Sequence, residues 1–167
     1  MTDYNYRMIA NEYVIYDALG EEKGRVPFKT KSEVVSLFNN DLLSPKEKGI
    51  YGMIFSEKEF LPIYLPSKQK WQIIESKNAE AYQDAWVRNY DQPMSLKAAA
   101  VVVRVHNDPE RWYTPKQCPE CGSYFGQTVG EVEFFEFKGL TIPKKCYKCR
   151  GKENNPKRLR TLIKLNG

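Results

Sequence analysis

The fold of this chain is decided most strongly by residues 118–149, CPECGSYFGQTVGEVEFFEFKGLTIPKKCYKC. The stretch holds all four cysteines in two CxxC pairs, 24 residues apart: a first hook, Cys118 and Cys121, and a second hook, Cys146 and Cys149. Two such hooks suit a tetrahedral zinc ion, because a short turn can place both sulfurs of each pair about 2.3 Å from one metal. Four thiolates leave no open coordination position, so the pattern predicts one structural Zn²⁺.

Other chemistries of the cysteines fit the pattern less well. Two disulfides would need an oxidising compartment, yet the chain opens MTDYNYR, without an apolar stretch that resembles a secretory signal. A thioredoxin-like redox pair would leave the second hook unexplained. An iron–sulfur cluster is possible with four thiolates, but two hooks with a long spacer are more usual for zinc.

The segment between the hooks carries signals for a short helix. Gly122 directly follows the first hook, where a tight turn aims amide hydrogens at the sulfurs. Thr128 and Glu131 have the spacing of a capping box, and Gly139 stands where a helix would stop, which predicts a helix over 129–138. The phenylalanines of this segment are equally compatible with a strand.

Residues 118–152 resemble a small bacterial family described as probable zinc-ribbon or treble-clef-like domains. The pattern is CxxCG-x-x-F, an acidic and aromatic segment ending in Lys-Gly-Leu, then a proline and basic residues before CxxCR. The matching positions are Cys118, Cys121, Gly122, Phe125, Glu131, Phe134, Gly139, Leu140, Pro143, Cys146, Cys149 and Arg150. The resemblance implies zinc binding, without an assigned molecular role, and it leaves residues 1–110 unrecognised.

Charge is distributed unevenly along the chain. The formal net charge of +5 combines about −2 over residues 1–110 with about +7 over residues 111–167. Such a concentration of positive charge attracts phosphates or acidic protein surfaces, although it can also serve solubility alone. No apolar run approaches the roughly 20 residues that span a bilayer, so we expect a protein of the cytoplasm that does not enter a membrane.

Residues 1–110 predict a small mixed α+β domain. Short β-prone runs occur at Met8–Ile9 and Tyr13–Tyr16, before a turn-rich stretch. Thr30 or Ser32 can cap a helix that extends to about Leu43, and Ser44-Pro45 begins a turn or a second short helix toward Tyr51.

The second half of this domain is less regular in pattern. Prolines bracket Ile63–Leu65, which suits an edge strand or an irregular connection, and Trp71–Ile74 fits a strand or a helical turn. Apolar spacing predicts a helix from Asn78 to Tyr90. The nearly continuous apolar run Ala99–Val105 predicts a buried central strand. We therefore expect three parts: a domain over 1–110, a zinc module over 111–152, and a basic amphipathic tail over 153–167.

The sequence carries no recognisable catalytic constellation. His106 is the only histidine, and neither a phosphate-binding glycine loop nor a nucleophile elbow occurs. We therefore expect a non-enzymatic zinc protein that binds nucleic acid, DNA or RNA, through the basic C-terminal module. The alternative is an adaptor or inhibitor that docks an acidic surface of a nucleic-acid-processing machine, and a third possibility is an enzyme with an unrecognised site in residues 1–110. The candidate contact residues, basic groups for phosphates and two tyrosines for stacking on a base, are Lys144, Lys145, Lys148, Arg150, Lys157, Arg158, Arg160, Tyr124 and Tyr147.

Overall fold

The computed structural model describes residues 4–85 and 90–153 of the chain. Helices and strands are both present, which confirms the α+β class. The chain divides into an N-terminal unit within residues 1–103 and a C-terminal unit within residues 104–167. Across the described ranges, every helix falls short of the length and apolar character that crossing a bilayer requires. The basic tail over 153–167 lies almost entirely outside the described residues, and its structure stays a prediction.

The N-terminal unit begins with a three-stranded antiparallel sheet. Its strands, in spatial order, are β1 (Asn5–Ile9), β2 (Glu12–Tyr16) and β3 (Glu22–Pro27). Ala10 and Asn11 join β1 to β2 with φ values of 51° and 63°, the left-handed pair that a tight hairpin needs to match the twist of its strands. The central strand buries its three middle residues, which confirms the predicted β-prone runs. The sequence does not predict β3. Val26 is its one buried residue, so the strand lacks the alternation of apolar and polar residues that would indicate it.

Two short helices follow the sheet. They are α1 (Lys31–Asn39) and α2 (Pro45–Ile54). Each begins with a capping box. The hydroxyl of Thr30 or Ser44 accepts a hydrogen bond from the backbone N–H of the glutamate three residues later. The carboxylate of that glutamate accepts a hydrogen bond from the backbone N–H of the capping residue. Thr30 is therefore one of the two predicted caps. The first helix stops at Asn39 and does not reach Leu43, because Asp41 adopts a φ of 55° that no α-helical residue has.

A hairpin of two antiparallel strands completes the sheet structure of this unit. The strands are β4 (Phe60–Leu65) and β5 (Lys70–Glu75). This confirms the edge strand predicted around Ile63 and shows that Trp71–Ile74 is a strand. Pro62 lies buried within β4, where a two-stranded pairing leaves an unpaired side for a residue without an N–H.

The outer edge of β5 is closed by the side chain of Asn39, the last residue of α1. Its Oδ1 accepts a hydrogen bond from the Ile73 N–H at 2.8 Å, and its Nδ2 donates to the Ile73 carbonyl at 2.9 Å. The side-chain amide thus takes the place of a neighbouring strand, and it satisfies two backbone groups that would otherwise lack partners. Lys70 Nζ donates to the Asn39 carbonyl at 2.9 Å, which fixes the same junction from the other side.

We expect Asn39→Ala to lower the free energy of unfolding by about 1–3 kcal/mol, because both backbone groups of the buried residue Ile73 lose their partners. Asn40→Ala is the matched control, since its side chain donates to the Ser36 carbonyl at an exposed position. It should cost about 0.5 kcal/mol or less. Chemical denaturation of the two variants checks this, and equal losses would contradict a structural role for Asn39.

The strand predicted over Ala99–Val105 is wrong, because this run lies in helix α3 (Leu96–Asn107). The Ser95 hydroxyl accepts a hydrogen bond from the Ala98 N–H at 3.2 Å and caps the first turn. Three successive alanines have high helix propensity, which outweighs the preference of the following valines for strands. The side chains that α3 buries recur at helical spacing: Leu96, Ala98, Ala99, Val102 and Val105.

The α-helix predicted from Asn78 to Tyr90 is also wrong in type. The structure has a 3₁₀ helix over Ser76–Ala85, in which Tyr82 departs from helical geometry with a φ of −120°. The ring of Tyr82 packs on a buried cluster from β4 and β5. That tertiary contact, and not the spacing of apolar residues, decides the local backbone here. Residues 86–89 of the predicted helix lie outside the described residues.

The C-terminal unit is built from short elements. They are β6 (Lys116–Gln117), β7 (Tyr124–Phe125), α4 (Val129–Phe137) and α5 (Tyr147–Glu153). Trp112 bridges to Thr128 at the start of α4. Gly126 lies between these elements without room for a side chain, since a Cβ there would stand 2.8 Å from Val105 Cγ2 and 3.0 Å from the Trp112 ring. This close approach positions the connection between β7 and α4.

Candidate metal centre

The first hook is the turn of the β6–β7 hairpin. The Cys118 N–H donates to the Ser123 carbonyl at 2.8 Å, and the Gly122 N–H donates to the Cys118 carbonyl at 2.9 Å. Gly122 has a φ of +76°, which a residue with a side chain rarely adopts. The predicted tight turn after the first hook is therefore present, and it brings Cys118 and Cys121 together.

The second hook is formed by the start of α5. Cys146 immediately precedes the helix and Cys149 lies in its first turn, and the Arg150 N–H donates to the Cys146 carbonyl at 3.0 Å. Residues three apart in a helix share a face, so both sulfurs lie on one side of α5. A hairpin turn and a helix start thus supply two sulfurs each.

Helix α4 confirms the helix predicted between the hooks. The Thr128 hydroxyl accepts a hydrogen bond from the Glu131 N–H at 3.0 Å and caps its start. At its end, the Leu140 N–H reaches the Phe135 carbonyl and the Gly139 N–H reaches the Glu136 carbonyl, with Gly139 at a φ of +67°. This is the Schellman pattern, which reverses the chain after a helix. The chain then returns toward the second hook.

The four cysteine sulfurs converge in one place. All lie within 4.8 Å of one another, and the Cys121 and Cys146 sulfurs are 3.6 Å apart. Four sulfurs at about 2.3 Å from one central ion would be roughly 3.8 Å apart from each other, so the cluster has the size of a shell around a single metal. No disulfide joins these four cysteines in the structure. The cluster can hold a metal ion, and its four donors are all sulfur.

The pKa values of the cysteines indicate that a cation would stabilise the cluster. Burial opposes the ionisation of Cys118, yet backbone N–H groups of Cys121, Cys146 and Glu120 hold its pKa down to about 6. Burial and the three neighbouring thiols raise the pKa of Cys149 to about 12. Thiolates this close repel each other, so they cannot all ionise alone. A divalent cation removes that repulsion and lets all four bind as thiolates.

The residues around the sulfurs further stabilise their charge. The hydroxyl and the N–H of Ser123 lower the pKa of Cys121. Lys145 lies 3.5 Å from the Glu120 carboxylate, an ion pair that joins the residue before the second hook to a residue within the first. Ser123 and Glu120 were not among the predicted site residues. Their position close to Cys121 in the sequence could have identified them, because metal ligands are usually oriented by hydrogen bonds from such neighbours.

The predicted contact residues divide into two groups. Lys144 and Lys148 are exposed, Lys145 shares its charge with Glu120, and Arg150 is half-buried. Tyr147 exposes 76% of its surface and its ring lies 5.6 Å from the Arg150 guanidinium carbon. Tyr124 is half-buried in β7, so its ring is less available. The remaining predicted contacts lie outside the described residues: Lys157, Arg158 and Arg160.

Exposed apolar side chains on and after α4 were not predicted as a feature. Phe134, Phe137 and Leu140 are all exposed, and they share this segment with three glutamates. The surface of the described C-terminal unit therefore combines an acidic, aromatic helix with a basic second hook. The aromatic run was visible in the sequence, but its exposure depends on how α4 lies against the hooks.

The N-terminal unit contains a polar groove of about 250 Å³ between α1 and β5. Its buried carboxylate, Glu75, accepts a hydrogen bond from the Ser32 hydroxyl at 2.9 Å and lies 3.7 Å from Lys77 Nζ. These contacts tie α1 to the end of β5.

The single histidine, His106, belongs to the C-terminal unit. Burial lowers its pKa. It lies in the last turn of α3, and not after a strand as the predicted strand over Ala99–Val105 implied.

Comparison with protein-family models, with curated proteins and with solved structures finds no significant match for this chain.

Proposed function

We propose that this protein is a non-enzymatic zinc protein of the cytoplasm that binds nucleic acid through its C-terminal unit. The observation that carries the proposal is the convergence of the four sulfurs next to basic residues of the second hook. A metal at this point would fix Lys144, Lys145 and Lys148 on a rigid turn. Fixed cations lose less conformational freedom when they bind a phosphate backbone than cations on a loose chain.

Zinc is the metal we propose for the cluster. Four thiolates in a shell of this size match a tetrahedral site, and softer sulfur donors select zinc over magnesium or calcium. All four positions would be filled by protein, so the ion would hold the fold together and would not activate water. The two-hook module would then be of the zinc-ribbon or treble-clef-like kind that the sequence resembles.

Phosphate contacts by these lysines would supply affinity without reading sequence. Lys144 and Lys148 are exposed, whereas Lys145 must share its charge with Glu120. The net charge of residues 111–167 is about +7, of which about +4 falls on the tail beyond residue 153. The tail would therefore add non-specific attraction to a surface whose shape the metal fixes.

The expected result of a salt titration is a steep loss of affinity. If about five phosphate contacts form, log affinity should fall against log salt with a slope of about −3.5 to −4.5. Lys148→Ala should weaken binding to every sequence alike and reduce the magnitude of the slope by about 1. Fluorescence anisotropy with labelled single strands and duplexes measures both quantities.

Lys58→Ala is the matched control for this experiment, because Lys58 is an exposed lysine of the N-terminal unit. It removes the same charge and should leave the slope unchanged. Binding that is indifferent to salt, or equal effects of the two variants, would refute phosphate recognition by the second hook.

The second candidate function is a protein-interaction module, an adaptor or inhibitor that docks an acidic surface of a nucleic-acid-processing machine. The exposed side chains of Phe134, Phe137 and Leu140 favour it, because exposed apolar groups near one another mark contact surfaces. Gel shifts with random duplex and single strands, and pull-downs after nuclease treatment, separate the two functions. A partner retained after nuclease treatment, with no shift of free nucleic acid, would favour the adaptor.

A further inference from the structure

A cavity of about 210 Å³ lies next to the second hook, on the side of α4. Three aromatic residues line it, Phe125, Phe135 and Tyr147, together with polar groups of Gln127, Glu131 and Arg150. An engineered protein cavity of about 150 Å³ accepts benzene. This cavity is therefore large enough for a flat ring with polar edges.

Gln127 has a buried acceptor atom that no described residue satisfies. Its side chain is 7% exposed, so more than nine-tenths of its surface is buried. Its Nε2 donates to the Pro143 carbonyl at 2.9 Å, and this bond fixes the orientation of the amide. The Oε1 on the other side of the amide has no hydrogen-bond partner. Buried polar atoms in proteins nearly always have a partner, so we expect this oxygen to bind a donor that is not among the described residues.

Arg150 presents the complementary donor. Its Nε is buried and has no hydrogen-bond partner among the described residues. Among the residues that the structure describes, Gln127 Oε1 and Arg150 Nε are the two buried side-chain polar atoms in this condition, and both residues line the same cavity. A ligand with an N–H group beside an acceptor atom would satisfy both at once.

We propose that this cavity binds one unpaired nucleobase, and that its polar groups favour guanine. The inference rests on the proposed function and specifies the part of the nucleic acid that is recognised. Unstacked bases bind to proteins by stacking on aromatic rings while their edges form hydrogen bonds, and the cavity offers both. Exposed Tyr147 would cover one face of the base at the mouth of the cavity.

The edge chemistry selects among the bases. Gln127 Oε1 and the Glu131 carboxylate are acceptors, and Arg150 Nε–H is a donor. Guanine places two adjacent N–H groups beside a carbonyl oxygen, whereas each of the other bases lacks at least one of these three groups. Hypoxanthine, which has no exocyclic amino group, would lose one of the two bonds to the acceptors.

The test uses the full-length, zinc-loaded protein and a short single strand of abasic nucleotides. Only the central nucleotide of this strand can carry a base. The central position carries guanine, hypoxanthine, thymine or no base, so all four probes have the same phosphate charge. We expect the probe without a base to bind at least about fivefold more weakly than the guanine probe, as the loss of one stacked base requires. Hypoxanthine and thymine should bind with intermediate affinity.

Two variants locate the effect. Tyr147→Ala removes one aromatic wall, and Arg150→Lys keeps the positive charge but removes the Nε–H donor. Both should reduce the difference between the guanine probe and the baseless probe, while zinc content stays at one ion per chain. Phe137→Ala is the matched control, since Phe137 is 85% exposed and lies outside the cavity. It should keep the full difference.

Each outcome decides the proposal. If no probe binds, the proposed function and the base site fall together. If all four probes bind equally, phosphate binding stands and the base site is refuted. A guanine preference that survives both variants would place the base elsewhere on the protein, and equal binding of guanine and hypoxanthine would overturn the choice of guanine.

Discussion

We expect removal of the metal that we propose for the four-cysteine cluster, zinc, to unfold the C-terminal unit and to leave the N-terminal unit folded. Structural zinc contributes on the order of 10–16 kcal/mol in isolated zinc-finger peptides at neutral pH. The elements that carry the first hook are strands of two residues each, and α4 buries a single side chain, Val132. Such elements bury too little apolar surface to fold without a metal. Chelation, Cys118→Ser and Cys146→Ser should each have this effect.

Metal analysis of the reduced protein and hydrogen exchange measure the two parts of this prediction. We expect one zinc per chain, and loss of amide protection over residues 116–150 after chelation, with protection retained in β2 and β4. Ser123→Ala is the control: Ser123 donates to the Cys121 sulfur but is not a ligand, so the variant should keep its zinc. A metal content well under one zinc per chain, or protection that survives chelation, would refute the structural role.

Phe60→Ala should destabilise the N-terminal unit by about 3–5 kcal/mol, the range for deleting a buried aromatic side chain. Phe60 is fully buried in β4. Its backbone also pairs with Met94 in both directions, at 3.0 and 2.8 Å, and so holds the segment before α3 against the hairpin. The cavity left by the ring would therefore lie at the junction of a strand with the connection to a helix. Denaturant unfolding followed by circular dichroism measures the loss.

Leu19→Ala is the control for this substitution, because Leu19 is 87% exposed in a turn. It should change stability by about 0.5 kcal/mol or less. Both variants should retain one zinc per chain, since neither residue lies in the C-terminal unit. A Phe60→Ala protein as stable as the Leu19→Ala protein would show that the core does not depend on this ring.

The features that the sequence predicts correctly are those that neighbouring residues decide. Thr30 and Ser44 cap helices through bonds to residues three positions on, and Gly122 and Gly139 adopt left-handed conformations that suit their residue type. The hooks belong to the same class, because their spacing alone brings sulfurs together in pairs. The convergence of the two pairs at one point agrees with the shared metal that the spacing predicts.

The errors arise where distant contacts decide. A run of alanine and valine fits a buried helix as well as a buried strand, and periodicity cannot separate them when every position is apolar. Tyr82 has helical spacing from its neighbours, but its packing on the β4–β5 cluster sets a different backbone. The cavity near Gln127 could not be predicted for the same reason, since an unpartnered buried atom exists only once the surrounding chain is in place.

The four-cysteine cluster is asymmetric in its access to solvent. Cys118 and Cys149 are buried and Cys146 is half-buried, whereas Cys121 is exposed in its turn. An oxidant or a competing thiol chelator would therefore reach the Cys121 sulfur first, and we expect ligand loss to begin at Cys121. The bonds between the cysteines and a bound metal would then break in a fixed order that begins with the exposed Cys121. The lifetime of the bound metal would depend on how well Cys121 is shielded from solvent.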